Sequence, residues 1–261
     1  MASNKVVRLS QIKVACNECS LRSLCLPLGL DKEGLDRLDK MVKRPKPLQR
    51  DQFLYRTGDL FRSIFVVRAG SVKTFTISQT GEQQITGFHL PGELIGLDGV
   101  GTDSHCCDAQ ALETTSICQL PFSQLEELSL SVPGLQKQLH RLMSKEFVSE
   151  QHLLLQLGKM NAEQRLASLL VNLSVRSAQR GFSATEFNLS MTRTNIGNYL
   201  GLAVETVSRQ FTQFQEKELI KAVRRNIHIL DLVELKRIAG LLECDTKQVN
   251  TQAETVKKSS T

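Results

Sequence analysis

The sequence predicts an α+β chain: an N-terminal antiparallel β-roll of jelly-roll type, then a long helix, then a C-terminal winged helix-turn-helix. Three observations lead there. From Leu48 to about Leu120, short β-branched and aromatic runs are cut by Gly58, Gly70, Gly81, Gly87, Gly92, Gly96 and Gly101, the even punctuation of an antiparallel roll or barrel. After Pro121 the glycines thin and the apolar spacing lengthens to that of helices. Beyond Lys159, helical patterns on either side of Gly201 give way to "LIKAVRRNIHIL", which reads as a hairpin, the order of a wing following two short helices.

Within the roll, "SIFVVRAGSVKTFTIS" reads as two strands around a turn at Gly70, and "TGEQ" around Gly81 as the next hairpin loop. Pro133 suits the first turn of a helix that runs to about Leu157. On that helix Met143, Phe147, Glu150, Leu154 and Leu157 follow alternating four- and three-residue steps, a coiled-coil seam with one acidic member. Periodicity alone leaves a plain surface helix as the alternative. Thr192 N-caps a helix through Leu200, Gly201 supplies the turn, and a second helix starts near Val204. Val204, Val207, Phe211 and Phe214 share one face of it and are expected to be buried. The resulting divisions are a cysteine-rich segment 1–29, a roll 30–120, a long-helix region 121–158, a winged helix-turn-helix 159–240 and a disordered tail 241–261.

A chain of 261 residues with 41% hydrophobic content suits two modest domains. The stretch up to Cys16 has no long apolar run and is broken by Lys5, Arg8 and Lys13, so neither a signal peptide nor a membrane span is expected, and the location is cytoplasmic. Of the net charge of +6, nearly all lies downstream: residues 159–261 carry 15 Lys and Arg against 10 Asp and Glu. That excess attracts phosphate. There is no dinucleotide-binding glycine pattern and no nucleophile with a plausible base, which argues against an iron–sulfur redox enzyme and against an enzyme of any kind.

On the second short helix, Glu205, Ser208 and Arg209 share the face opposite the apolar one, within the first turn and a half that enters a major groove. Arginine donates two bonds to guanine, glutamate accepts from cytosine, and serine adapts to either. Glu205 and Arg209 alone also read as an exposed ion pair four residues apart. Thr192, Arg193, Thr206, Arg224 and Arg225 add donors for backbone phosphates around the same element, which favours binding to double-stranded DNA.

Three of the seven cysteines fall within ten residues, Cys16, Cys19 and Cys25, a crowding that favours metal binding over disulfides. With Cys118, four thiolates can complete the coordination of a cubane cluster. Structural zinc is the rival, although its sites present two tight cysteine pairs and Cys118 has no such partner. Taken on "TTSICQLP" alone, Cys118 reads as a small buried hydrophobe. His105, Cys106 and Cys107 lack a fourth ligand at sensible spacing and read as structural or incidental.

From about Cys16 to about Ala239, the stretches "CNECSLRSLCLPL", "EQQITGFHLPGELIGLDGVG", "AQALETTSICQLPF" and "RTNIGNYLGLAVETVSRQFTQFQ" resemble the FNR/ANR branch of the CRP/FNR transcription factors. The resemblance implies that Cys16, Cys19, Cys25 and Cys118 ligate an oxygen-labile [4Fe-4S] cluster in a sensor domain. It implies that oxygen converts this cluster to a [2Fe-2S] form, and that only the intact form supports a homodimer. It further implies that Glu205, Ser208 and Arg209 read TTGAT-type half-sites in an inverted repeat, and that exposed loops around Gln79 to Gln83 contact RNA polymerase. The implied function is regulation, by activation or repression, of genes of anaerobic metabolism. One departure from the wider superfamily matters. Cyclic-nucleotide regulators carry an Arg-Ser/Thr-Ala segment after a "GELIG"-like stretch, where this chain has "HCCDAQA", with Asp108 and no arginine to hold a phosphate. The alternative is a CRP-type regulator sensing another small ligand without iron.

In a two-fold seam Glu150 meets its own copy. At ~7 Å and an effective dielectric of ~20, two such charges repel by roughly 2 kcal/mol, enough to shift a dimer equilibrium more than tenfold.

Overall fold

The computed structural model describes residues 15–241; residues 1–14 and 242–261, which hold all but the first residue of the tail expected at 241–261, lie outside the described residues. The chain divides into two compact units between Gln151 and His152. That division falls inside the long helix, some residues before the expected boundary at 158/159.

In the first unit, α1 (Lys32–Met41) starts where the Asp31 side chain accepts the Gly34 N–H at 2.8 Å, and it buries Leu35 and Leu38, three residues apart on one face. Seven strands follow: β1 (Phe53–Tyr55), β2 (Ser63–Ala69), β3 (Val72–Ile77), β4 (Gln83–His89), β5 (Leu94–Ile95), β6 (Asp108–Ala111) and β7 (Ser116–Pro121). They form two antiparallel sheets, β1-β6-β3-β4 and β5-β2-β7. The expected loop at Gly81 is the β3–β4 hairpin, with Ile77 paired to Gln83. The two strands expected around Gly70 are present but do not pair with each other: Gly70 carries the chain from one sheet to the other. It does so at φ +82°, and a Cβ there would lie 2.5 Å from Thr115 Oγ1 and 2.6 Å from the Thr114 carbonyl oxygen.

β2 is buried on both faces, and the two-residue period of a strand sorts its side chains. Phe65 and Val67 join Tyr55, Val72 and Ile117 inside the roll, whereas Ile64 and Val66 join Leu26, Leu35, Leu38 and Leu135 in a second, helical core. That second core is completed by α2 (Phe122–Ser131) and the first half of α3 (Pro133–Lys159). α3 has 27 residues, about 40 Å of helix at 1.5 Å per residue. Its buried positions, Leu135, Gln138, Leu139 and Leu142, end abruptly; Met143, Phe147, Glu150 and Leu154 are exposed.

The second unit contains α4 (Ala162–Gln179), β8 (Glu186–Asn188), α5 (Arg193–Leu200), α6 (Val204–Glu216), β9 (Ile220–Val223), β10 (Asn226–Ile229) and α7 (Leu232–Ile238), with sheet order β8-β10-β9. Thr192 caps α5 by accepting the Asn195 N–H at 3.1 Å. Gly201 ends that helix at φ +62°. Of the expected apolar face of α6, Val207, Phe211 and Phe214 are buried, but Val204 is 37% exposed. It is the first residue of α6, a turn before the buried stripe begins.

Gly70→Ala is expected to destabilise the first unit by about 1–3 kcal/mol, because it combines a strained φ with a main-chain clash. Gly101, whose Cβ would meet nothing within 4 Å, is the control: Gly101→Ala is expected to stay within about 0.5 kcal/mol. Denaturant unfolding of both variants checks the difference.

Candidate cysteine centre and nucleic-acid interface

Cys16 opens a short 3-10 turn, Cys16–Glu18, and irregular turns carry the chain through Cys19 and Cys25. Three anchors hold this segment. Leu26, 1% exposed, inserts into the helical core beside Cys25. Gln138 of α3 donates from Nε2 to the Cys25 carbonyl at 3.1 Å. Asp39 of α1 accepts the Cys16 N–H at 2.8 Å. Arg44 donates to the same Asp39 oxygen, and its Nη2 lies 3.8 Å from Cys16 Sγ.

The fourth sulfur arrives from the sheet. Cys118 on β7 pairs with Val66 on β2, and directly paired residues project to one side, so Cys118 faces the helical core that Val66 faces. Cys16, Cys19, Cys25 and Cys118 then line one pocket, walled by Leu26, Val66 and Leu120 and edged by Arg68. Among the described residues, no three His, Cys, Asp or Glu side chains gather tightly enough for a single metal ion.

Burial pushes the Cys16 thiol up to about 12, with the Asp39 carboxylate adding to it. Burial also raises Cys25, with a further push from Cys118, Cys16 and Cys19. Cys118 is raised by burial against the pull of Arg44 and Arg68. Burial favours a neutral Asp39, but the Cys16 N–H and Arg44 outweigh it and hold the carboxyl below its ordinary value. Burial thus favours the protonated thiol at Cys16, Cys25 and Cys118, and a positive centre bound there would have to displace those protons.

On α6, Glu205, Ser208 and Arg209 are exposed. No ion pair joins Glu205 to Arg209 among the described residues, so each head group is uncommitted. Ser208 donates to the Val204 carbonyl at 2.9 Å and keeps its acceptor capacity. Thr206 is half-buried, and Ala203, at the N-cap of α6, offers no side-chain cap. Arg193 differs from its expected role. Its guanidinium stacks on the Phe211 ring, 3.0 Å from the centroid, and burial lowers it to about 10. It thus packs between α5 and α6 instead of standing free. The exposed Arg224 sits at the tip of the β9–β10 hairpin at φ +55°, a conformation that favours glycine or asparagine.

Residues 164–238 match the Crp-like helix-turn-helix domain family, and residues 45–132 match the cyclic nucleotide-binding domain family. The chain is 56% identical over 225 residues to the transcriptional activator protein Anr of Pseudomonas protegens, covering 86% of this chain and 92% of that one. The chain belongs to the CRP/FNR family of transcription regulators. It is also 46% identical over 228 residues to the fumarate and nitrate reduction regulatory protein of Vibrio cholerae, covering 87% and 91% of the two chains. The solved structure of FixK2 from Bradyrhizobium japonicum aligns at TM-score 0.69 and 27% identity, over 76% of this chain and 96% of that one. The helix-turn-helix of this CRP/FNR regulator is a DNA-binding element, and its work is control of transcription, not catalysis.

The stretch that departs from the cyclic-nucleotide pattern is packed shut around Asp98. Its carboxylate accepts the N–H groups of Cys106 (2.7 Å) and Cys107 (3.2 Å), the Cys107 thiol (3.4 Å) and the Tyr55 hydroxyl (3.3 Å), and its Oδ1 lies 3.2 Å from His105 Nδ1. His105 is 4% exposed and stacks on Tyr55 with ring centroids 3.6 Å apart. His105 and Cys107 are thus tied into the packing around Asp98. Asp108 accepts the Thr57 N–H at 2.7 Å. Sequence reading missed Asp98, Asp39 and Arg44, because each pairs with residues whose proximity no local spacing signals.

A cyclic nucleotide at about a hundred times its Kd would stabilise a binding domain by about 2.7 kcal/mol. Cyclic AMP at millimolar concentration is expected to leave the thermal midpoint of this chain unchanged, as read by differential scanning fluorimetry.

Proposed function

We propose that this regulator is an oxygen-responsive one: a [4Fe-4S] cluster held by Cys16, Cys19, Cys25 and Cys118 governs homodimerisation, and the dimer binds TTGAT-type inverted repeats to activate or repress genes of anaerobic metabolism. The observation that carries this reading is the convergence of four thiols, ninety-three positions apart at the widest step, on one pocket with an apolar wall. The donor set fits: four soft sulfurs, one for each iron of a cubane. Arg44 adds a buried Nε–H that lacks an acceptor, beside Cys16, and so offers positive charge to a group rich in anionic sulfur. When bound, such a cluster supplies a redox-labile centre that small oxidants degrade.

The chain's own residues carry the consequence. Gln138 joins the Cys25 carbonyl to α3, so the cysteine segment and the first half of that helix share one packing arrangement. Beyond Leu142 the exposed stripe of Met143, Phe147 and Leu154 suits pairing with its copy in a second chain. Burying that stripe from two protomers contributes on the order of 10 kcal/mol. Association costs roughly 4–15 kcal/mol. The balance is close, so the roughly 2 kcal/mol repulsion between two Glu150 carboxylates is large enough to decide it. Leu157, the last member of the expected seam, is half-buried, and its Cδ2 would lie 3.4 Å from a Cβ at Gly201. In this reading the two-fold dimer presents two α6 helices, with Glu205, Ser208 and Arg209 on base edges and Thr192 and Thr206 near the phosphates, while Arg193 packs under α6. The exposed loop between β3 and β4, which includes Gln79 and leads to Gln83, is the surface for RNA polymerase. A cytoplasmic location belongs to this reading; among the described residues no helix is long and apolar enough to cross a membrane.

Anaerobic iron and sulfide analysis, with binding to a TTGAT palindrome before and after air, tests the reading. Four irons per chain and air-sensitive binding are expected, and each Cys→Ser change at the four positions is expected to abolish both. Iron-free protein that binds equally well in air would favour a regulator sensing another ligand. Glu150→Ala is expected to raise the dimerisation constant of the cluster-free chain in air by more than about tenfold in sedimentation equilibrium. Arg209→Ala is expected to cost about 1–3 kcal/mol at the guanine it reads and to relax specificity there, measured by competition among half-site variants.

A further inference from the structure

Arg165, on the first turn of α4, donates from all three guanidinium nitrogens to main-chain carbonyls. Nη2 donates to the Leu157 carbonyl at 2.9 Å, Nε to the Met160 carbonyl at 2.8 Å, and Nη1 to the Leu200 carbonyl at 2.8 Å. Leu157 lies in the last turn of α3, Met160 just beyond its end, and Leu200 is the last residue of α5. The final carbonyls of a helix have no partner within it and carry the negative end of the helix dipole, so a cation there satisfies two unmet needs at once. One side chain thus ties the C-terminal ends of two helices together. Gly201, between α5 and α6, seats against the same spot: a Cβ there would lie 3.4 Å from both Arg165 Nη1 and Leu157 Cδ2.

We infer that Arg165 is a positioning residue, which locks the end of α3 to the turn between α5 and α6 and thereby fixes the stance of the recognition helix on the helix that pairs two copies. The inference rests on the two-fold reading above. Its consequence is specific. A recognition helix that keeps its own fold still reads one half-site, whereas a loose stance penalises reading two half-sites at once, because their spacing is rigid. Lysine keeps the charge but has a single head atom and no planar fork, so it can serve only part of this set.

The experiment compares the full chain, purified anaerobically, with its Arg165→Gln and Arg165→Lys variants. Each is titrated with two duplex DNAs: one carries the TTGAT inverted repeat, and in the other one half of the repeat is scrambled. For Arg165→Gln the expected loss is about tenfold or more on the palindrome, equivalent to about 1.4 kcal/mol, and less than about threefold on the single half-site. Arg165→Lys is expected to fall between the parent and Arg165→Gln, and the dimer mass in sedimentation is expected to match the parent for both variants. Equal losses on the two DNAs, in the variant that remains folded by thermal unfolding, overturn the inference in favour of a strut within the domain. Unchanged binding to both DNAs overturns it outright. The parent's own preference for the palindrome over the single half-site tests the two-fold reading separately.

Discussion

The register of β7 against β2 governs the sensor half of this regulator, because it decides which face of the sheet Cys118 shares. With Cys118 opposite Val66, the sulfur points toward the layer built from α1, α2, the cysteine segment and the start of α3. A slip of one residue would turn it into the roll beside Phe65 and Val67, where no other thiol from the cysteine segment packs. Register is strongly specified here because β2 is buried on both faces: Ile64 and Val66 belong to one core, Phe65 and Val67 to the other. The irregular segment carrying Cys16, Cys19 and Cys25 has no ladder to fix it. It takes its position from Leu26, Asp39 and Gln138, three side chains that anchor it to the helical layer.

That division of labour has a mechanical consequence. A segment held by a few side chains near the surface has low local stability and responds to what binds it, whereas the sheet beside it does not. Gln138 is itself buried, at 6% exposure, and its amide would be costly to leave without an acceptor. A shift of the Cys25 carbonyl is therefore felt by α3 rather than absorbed. The exposed stripe begins five residues further along the same helix, at Met143. The Gln138 anchor of the cysteine segment and the proposed seam thus lie on one continuous helix, α3.

Much of this was legible in the sequence where the cause is local. Thr192 and Gly201 were recognisable as helix boundaries because capping needs particular residue types, and α6 declared its buried face through Val207, Phe211 and Phe214. The turn at Gly70 was recognisable too, but not that it joins two different sheets, since pairing partners depend on the whole topology. Cys118 carried no local mark of its partners, and only the family resemblance set it with the other three thiols. Arg193 looked like a phosphate donor by its position at the start of α5, yet the ring of Phe211 lies under it. Asp98, in an ordinary "GLDGV" context, gave no sign that it would collect four donors and the His105 ring. These misses share a cause: each depends on contacts that no helix or strand period along the chain connects.

The DNA-binding half follows a different logic from the sensor half. Its proposed reading residues Glu205 and Arg209 are exposed and free of ion pairs among the described residues, while Arg165 and Arg193, which pack beneath α6 or at the helix ends, are held by contacts within the domain. Arg193 fills the space between α5 and α6, and Arg165 binds three carbonyls at the ends of α3 and α5. Separating the two tasks is physically sensible. A side chain that reads a base edge must exchange water for base contacts on each binding event, so it cannot also hold the frame. A half-buried guanidinium whose nitrogens donate to helix-end carbonyls is suited to hold the frame instead. Specificity then depends on a frame set before binding, which lowers the ordering cost that would otherwise weaken it.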